Sequence, residues 1–313
     1  VASAALESFW LMFAASHAHG RPTQGADLFA EQEHVCFGSS PAEILEGAMC
    51  CKQGSKGINQ DNFSITHLND GTEIYCVMDG HGHDGHWISM RCARTMPFFI
   101  TQSSYFPHDI PAALEEAHGY CQADLSGHAA LRGYDVQRSG TTATTLVLRD
   151  GCLWTAHLGD SRAIVGNSNG DVVFQTMDHK PDDEVESSRI QSTGGIVRPG
   201  TGGALKVYRP DNRGPGLLMT RSFGDCEMKP LGVVALPEVN EINMEAEQFV
   251  LLASDGVWEF LSSTTVVTEV LGSLRATGNP ADSLQALASL ARDCWHEEDA
   301  GECDDITCIL VML

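Results

Sequence analysis

Carboxylates stand in this chain where apolar runs meet glycine or a turn. Asp79 ends the run EIYCVMD and is followed by Gly80, His81 and Gly82. Asp255 follows FVLLAS and precedes Gly256, while Asp304 and Asp305 open the final run ITCILVML. A carboxylate in apolar surroundings is costly unless it is paired or holds a cation. Glycine beside it lets the backbone come close to an ion or ligand. Strand ends bring distant residues together, and hard oxygen donors suit Mg²⁺ or Mn²⁺ better than zinc. Each carboxylate taken singly has a plainer reading as part of a turn, a helix cap or a strand-edge charge. Two further segments belong with them. KGINQDNF carries Lys56 and Asp61 ahead of an apolar strand, and HLGDSRAIV sets Asp160 and Arg162 between two apolar runs. Their plainer readings are a turn with a lysine and a hairpin turn with an ion pair. His81, His83, Asp84 and His86 are zinc-type donors, but their spacing matches no usual zinc pattern and no nearby Cys helps.

The elements that must position these residues are legible in outline. NFSITHL and EIYCVMD, at 62–68 and 73–79, flank Asn69-Asp70-Gly71, a hairpin signal. Helices are predicted near 84–101 and 109–128, then β runs at 141–149, 152–158 and 161–167. Asp150-Gly151 punctuates the first pair of these runs. A short helix at about 182–193 precedes a Gly/Pro-rich stretch from PGTGG to PDNRGPG. A long irregular segment inside a domain is usually functional, so 178–216 reads as a flap over a site. A buried strand at 249–254, helices at about 263–274 and 280–297, and a last strand, DITCILVML, complete the chain. This order indicates an α+β fold of packed antiparallel sheets with helices outside, not a βαβ array.

With 42% hydrophobic residues among 313, the chain can bury a large core. Its formal net charge of −23 argues against nucleic acid or an anionic membrane as partner, since both call for a basic face. Eleven Cys without a CxxC favour reduced thiols and a cytoplasmic or nuclear protein over a zinc ribbon or redox motif. Residues 1–46 read as an N-terminal extension, a helix and a linker; the start lacks a basic region and reads as an amphipathic helix rather than a signal peptide. No apolar run is long enough for a membrane span.

The ordered set KGINQD, VMDGHG, SGTTATTLVL, LGDSRAIV, MTRSFGD, LLASDGVWE and CDDIT resembles the metal-dependent protein phosphatase 2C family over about 47–313. The form of these segments is closest to plant and protist members. The resemblance implies a four-layer α/β/β/α sandwich with a flap, and hydrolysis of phosphoserine and phosphothreonine in protein substrates by a monomer. It also implies two Mg²⁺ or Mn²⁺ ions and a weaker third. Asp79 matches the aspartate bridging the two metals, and Gly80 the glycine whose carbonyl binds the second. Asp255 and Asp304 match the other ligands of the first metal, and Asp61 an aspartate holding metal-bound water. Asp160 matches an aspartate of the third site, shared with Asp255. His81 matches the proposed general acid, and Lys56 falls where many members carry a phosphate-binding arginine.

Three positions depart from the family pattern. Lys56 is a point charge where arginine would grip phosphate through two parallel hydrogen bonds. Gln60 replaces a glutamate of some members. Asp305 replaces the usual asparagine, which leaves open whether Asp304 or Asp305 is the ligand. The resemblance implies a water bound between two metals, attacking phosphorus in line while His81 protonates the leaving alkoxide. A non-catalytic binding module of the same fold and a metal phosphodiesterase are the competing readings. The complete carboxylate set opposes the first and the acidic surface the second.

Overall fold

A computed structural model describes residues 42–44, 47–244, 248–298 and 302–313. The helix expected in the N-terminal extension lies outside the described residues. Two antiparallel sheets stack face to face. The first runs in the order β1 (Ala42–Ile44), β2 (Gly47–Lys52), β15 (Ile306–Met312), β14 (Gln248–Ala253), β8 (Arg162–Asn167) and β9 (Val172–Gln175). The second runs β12 (Phe223–Gly224), β5 (Gly140–Thr141), β4 (Glu73–His81), β6 (Ala143–Arg149), β7 (Cys152–Leu158) and β13 (Glu238–Asn243), with β3 (Asp61–His67) also paired to β4. Helices α1 (Gly85–Gln102) and α2 (Ile110–Arg132) cover the second sheet; α5 (Ser263–Thr277) and α6 (Pro280–Glu298) cover the first.

The strand alternation explains the four layers. Along β4, Tyr75 and Val77 point into the core between the sheets, while Ile74, Cys76 and Met78 point towards α1 and α2. Along β14, Val250 and Leu252 point inward, while Phe249, Leu251 and Ala253 meet α5 and α6. Both faces are covered, so these strands read as unbroken apolar runs. The sandwich is therefore α/β/β/α, as the resemblance implied. The helices carry their own start and stop signals. Asp109 accepts the Ala112 N–H at 3.0 Å and Gly133, at φ 83°, ends α2. Ser262 caps α5 through the Thr265 N–H at 3.1 Å, and Gly278 ends it.

Three parts differ from the sequence reading. The expected short helix is present as α3 (Glu184–Ser192), but the Gly/Pro-rich stretch after it is not irregular: it forms a hairpin of β10 (Ile196–Pro199) and β11 (Leu205–Tyr208). Ile190, Val207, Met228 and Val233 give the flap an apolar cluster of its own. The turn PGTGGA closes that hairpin, with Gly202 and Gly203 at positive φ. The edge strands β9 and β13 escaped the sequence reading because VVFQ and EVNEIN are short and half-polar. A single helical turn, α4 (Asp255–Trp258), follows β14 directly. The ten described cysteines are free thiols, and no helix among the described residues is long and apolar enough to cross a membrane.

Candidate active site

One end of the sandwich gathers the chemistry-bearing residues, because several strands start or stop there. Asp61 opens β3 and lies opposite Asp79 of β4 in register. Asp160 sits in the link between β7 and β8, where the chain crosses from one sheet to the other. Asp255 opens α4, just beyond β14, and Asp304 lies just ahead of β15. The antiparallel register sets Ala253 beside both Arg162 and Cys308, so these three strand ends align.

These carboxylates act on one another. Burial, then Asp255, Asp61, Asp304 and Asp160, drive Asp79 well above the ordinary carboxylate range. Burial, then Asp160 and Asp304, do the same to Asp255, which is also hydrogen-bonded to Asp79. Asp61 is pushed up to about 7 by burial and then Asp305, although it accepts the Ser254 hydroxyl at 2.7 Å. Asp160 is 1% exposed. Among the described residues neither of its oxygens has a hydrogen-bond partner, and the Lys180 ammonium stands 3.7 Å away. Burial raises Asp160, while Lys180 works in the opposite direction. A cluster of mutually repelling carboxylates of this kind is typical of functional sites.

The donor set is oxygen only, which fits a hard divalent cation. Gly80 has space for nothing larger: a Cβ there would sit 2.5 Å from the Gly85 carbonyl oxygen and 2.6 Å from that of Gln60. Its N–H donates to the Gln60 carbonyl at 3.1 Å. The neighbouring acids at 304 and 305 have different partners. Asp305 accepts the N–H groups of Gly54 at 2.8 Å and Gln60 at 2.7 Å, one on each oxygen. It therefore ties the loop before β3 to the start of β15. Asp304 instead faces Lys56, whose ammonium lies 2.6 and 2.7 Å from its two oxygens.

His81 follows Gly80. Its Nε2–H donates to Asp225 Oδ2 at 2.7 Å, and its Nδ1 has no partner among the described residues. Burial works against the charge on His81, but Asp225 outweighs it and holds the imidazole above its ordinary value. Burial likewise opposes the charge on Asp225, and His81 and then Lys229 hold it low. Ser222 donates to the same Asp225 oxygen at 2.5 Å. Gly140 makes room for this pair, since a Cβ there would lie 2.2 Å from Asp225 Oδ2 and 2.7 Å from His81 Nε2. Asp225 belongs to MTRSFGD but received no role from sequence. Its signal, an acid next to glycine in an apolar segment, was the one that marked Asp79. Lys180 carried no such signal.

The zinc alternative is not assembled, because His83 bonds Asp84 and His81 bonds Asp225. Among the described residues the one tight cluster of metal-binding types is His157, His179 and Glu238, with one donor atom of each within 4.8 Å of the others. The two rings stack at 4.5 Å and 17°, which points their nitrogens alongside rather than towards a common centre. His157 donates from Nε2 to the Met177 carbonyl at 2.8 Å, and His179 Nδ1 accepts the Gly159 N–H at 3.3 Å. The stack thus braces the residue next to Asp160.

Comparisons with known proteins agree with this geometry. The family described as "Protein phosphatase 2C" matches residues 49–298. "Probable protein phosphatase 2C 72" of Arabidopsis thaliana is 29% identical over 95% of this chain and 97% of its own length. "Probable protein phosphatase 2C 65", also of Arabidopsis thaliana, is 33% identical over 85% of this chain and 76% of its own. The crystal structure of serine-threonine phosphatase 2C from Toxoplasma gondii superposes with a TM-score of 0.75 at 20% identity, covering 87% of this chain and 96% of that one. The last shares the fold; the family match carries further, and with it comes a family that is generally metal-dependent. The chain belongs to the protein phosphatase 2C family and is a protein serine/threonine phosphatase.

Proposed function

We propose that the chain hydrolyses phosphoserine and phosphothreonine in phosphoproteins at this strand-end cluster, with two Mg²⁺ or Mn²⁺ ions and a weaker third. Asp79, the Gly80 carbonyl, Asp255 and Asp304 would hold the first two ions, with Asp61 behind them, and Asp160 with Asp255 the third. The observation that carries the reading is the gathering of Asp61, Asp79, Asp160, Asp255 and Asp304 at the meeting point of both sheets, where burial and neighbouring acids raise Asp61, Asp79 and Asp255. Bound there, the ions supply an acidified water and positive charge opposite the phosphoryl oxygens. The leaving group is a strongly basic alkoxide and needs a proton. His81 would give it from Nδ1, the nitrogen left free while Asp225 holds Nε2. Lys56, largely exposed and held among the described residues by Asp304, would exchange that partner for a phosphoryl oxygen. Asp304, not Asp305, takes the ligand role, because both Asp305 oxygens are engaged by backbone N–H groups. The catalytic unit would run from 47 to 313, with the flap at about 178–216 and the extension 1–46 ahead of it. We further infer a monomer of the cytoplasm or nucleus without a nucleic-acid or membrane partner, on the acidic charge and free thiols.

Hydrolysis of a phosphothreonine peptide tests this. Turnover should require Mg²⁺ or Mn²⁺, stop with EDTA, and be abolished by Asp79→Ala in a protein that still unfolds cooperatively. Wild-type turnover from Asp79→Ala at saturating metal would sink the metal assignment. Folded protein inert with every metal would favour the binding-module reading.

A further inference from the structure

The chain is strongly acidic, yet the hairpin region of its flap is not. Residues 194–221 hold Arg198, Lys206, Arg209, Arg213 and Arg221 against the single acid Asp211, in a chain with 42 acidic and 19 basic residues. In the hairpin of β10 and β11, Arg198 lies directly opposite Lys206. Like charges in that relation repel and destabilise a two-stranded ribbon. Neither has a carboxylate partner among the described residues. Alternation puts Ile196, Arg198, Lys206 and Tyr208 on one face of the hairpin. The opposite face carries Val197 and Val207, which pack into the flap's own apolar cluster. The charged face therefore points away from that cluster.

The charges are also held in place. The Arg198 guanidinium lies 4.0 Å from the Tyr208 ring centroid and donates to Asn212 Oδ1 at 3.2 Å. Arg213 is 79% exposed, and its only carboxylate contact among the described residues is Asp211 at 3.9 Å, an acid already gripped through both oxygens by Arg209. Arg209 also bonds Glu227, which accepts from Arg138 at 3.2 Å. The Arg138 carbonyl in turn abuts Gly82, next to His81. The base of the hairpin is thus tied to the loop bearing the proton donor. Two unneutralised cations facing each other are a cost that an anionic partner would remove.

We propose that the solvent face of this hairpin, Arg198 and Lys206 with Tyr208 and the nearby Arg213, binds an acidic stretch flanking the phosphorylated residue of the substrate protein. This names the substrate class and rests on the phosphatase reading above. The ligand groups are Asp and Glu carboxylates, reached once the phosphoryl group is seated. The charged face recognises substrate without touching the reacting atoms, so its effect falls on KM.

The test compares phosphothreonine peptides whose flanking residues are Glu or Gln, with p-nitrophenyl phosphate as a flank-free control. Wild type should favour the Glu peptide by about three- to tenfold in kcat/KM, through KM, and the preference should shrink as salt rises. The double variant Arg198→Glu/Lys206→Glu should lose or reverse the preference while turning over p-nitrophenyl phosphate at the wild-type rate. Equal use of both peptides by wild type, or a preference that survives the double variant, overturns the proposal while leaving the phosphatase reading intact. Absence of p-nitrophenyl phosphate turnover in wild type with metal would instead overturn the reading beneath both.

Discussion

Two buried carboxylates, Glu186 in the flap and Asp160 between the sheets, live by opposite rules. Glu186 is 3% exposed and Asp160 1% exposed. Glu186 accepts from Arg189 at 2.6 Å on each oxygen, from Arg221 at 2.7 Å, and from the Thr220 hydroxyl. Burial opposes its charge, but these partners hold it far below the usual carboxylate range. Asp160 has no hydrogen bond on either oxygen among the described residues and is pushed up by burial, against the pull of Lys180. Burial alone therefore says little about role. A buried charge with every lone pair answered locks local structure, whereas one left unanswered is a destabilising group retained for chemistry.

His81 stands between these extremes, with one nitrogen answered by Asp225 and the other free. If the free nitrogen is the proton donor, His81→Ala should slow an alkyl phosphate by about 10²–10⁴-fold and an aryl phosphate far less. Equal losses on both substrates would remove the proton role. Next in size, Glu186→Ala should cost about 3–5 kcal/mol in urea unfolding, because it strands Arg189 and Arg221 without a counter-charge. A loss under 1 kcal/mol would break the contrast with Asp160.

A third way to bury a titratable group is to give up its charge. His118 is fully buried, donates from Nδ1 to the Leu114 carbonyl at 2.7 Å, and is pushed down to about 4 by burial. The unfolded chain binds this proton near pH 6.5, the folded one only near 4. Stability from His118 is thus full above about 6.5 and is lost as pH falls towards 4, by at most about 3 kcal/mol. His118→Gln should flatten the acid slope of urea midpoints between those values; an unchanged slope would exclude His118 as its source. His157 and His179 act with the same sign and leave a residual slope. The smallest effect belongs to Asp160→Asn. In metal-free protein it should raise stability by about 1 kcal/mol, roughly 2–4 °C in melting temperature. A drop of that size would mean Lys180 satisfies Asp160 after all.

The carboxylates were legible from sequence because each interrupts an apolar run beside a turn residue, an arrangement that burial makes expensive unless something uses it. The helices of the two outer layers were legible too: those expected near 84–101, 109–128, 263–274 and 280–297 are α1, α2, α5 and α6. Less visible were β9, β13 and the flap hairpin, whose short, half-polar strands are stabilised by pairing with neighbours rather than by their own pattern.

By itself, then, the sequence determined which segments are apolar on both faces, which chain breaks carry acids, and to which family the chain is similar. Only the tertiary structure decided that Asp305 binds two backbone N–H groups while Asp304 meets Lys56. It alone joined His81 to Asp225 across 144 residues, and set Arg198 against Lys206. The reason is range: periodicity and turn chemistry act over a few residues, whereas a partner is chosen by strand register and sheet stacking, which join residues hundreds of positions apart.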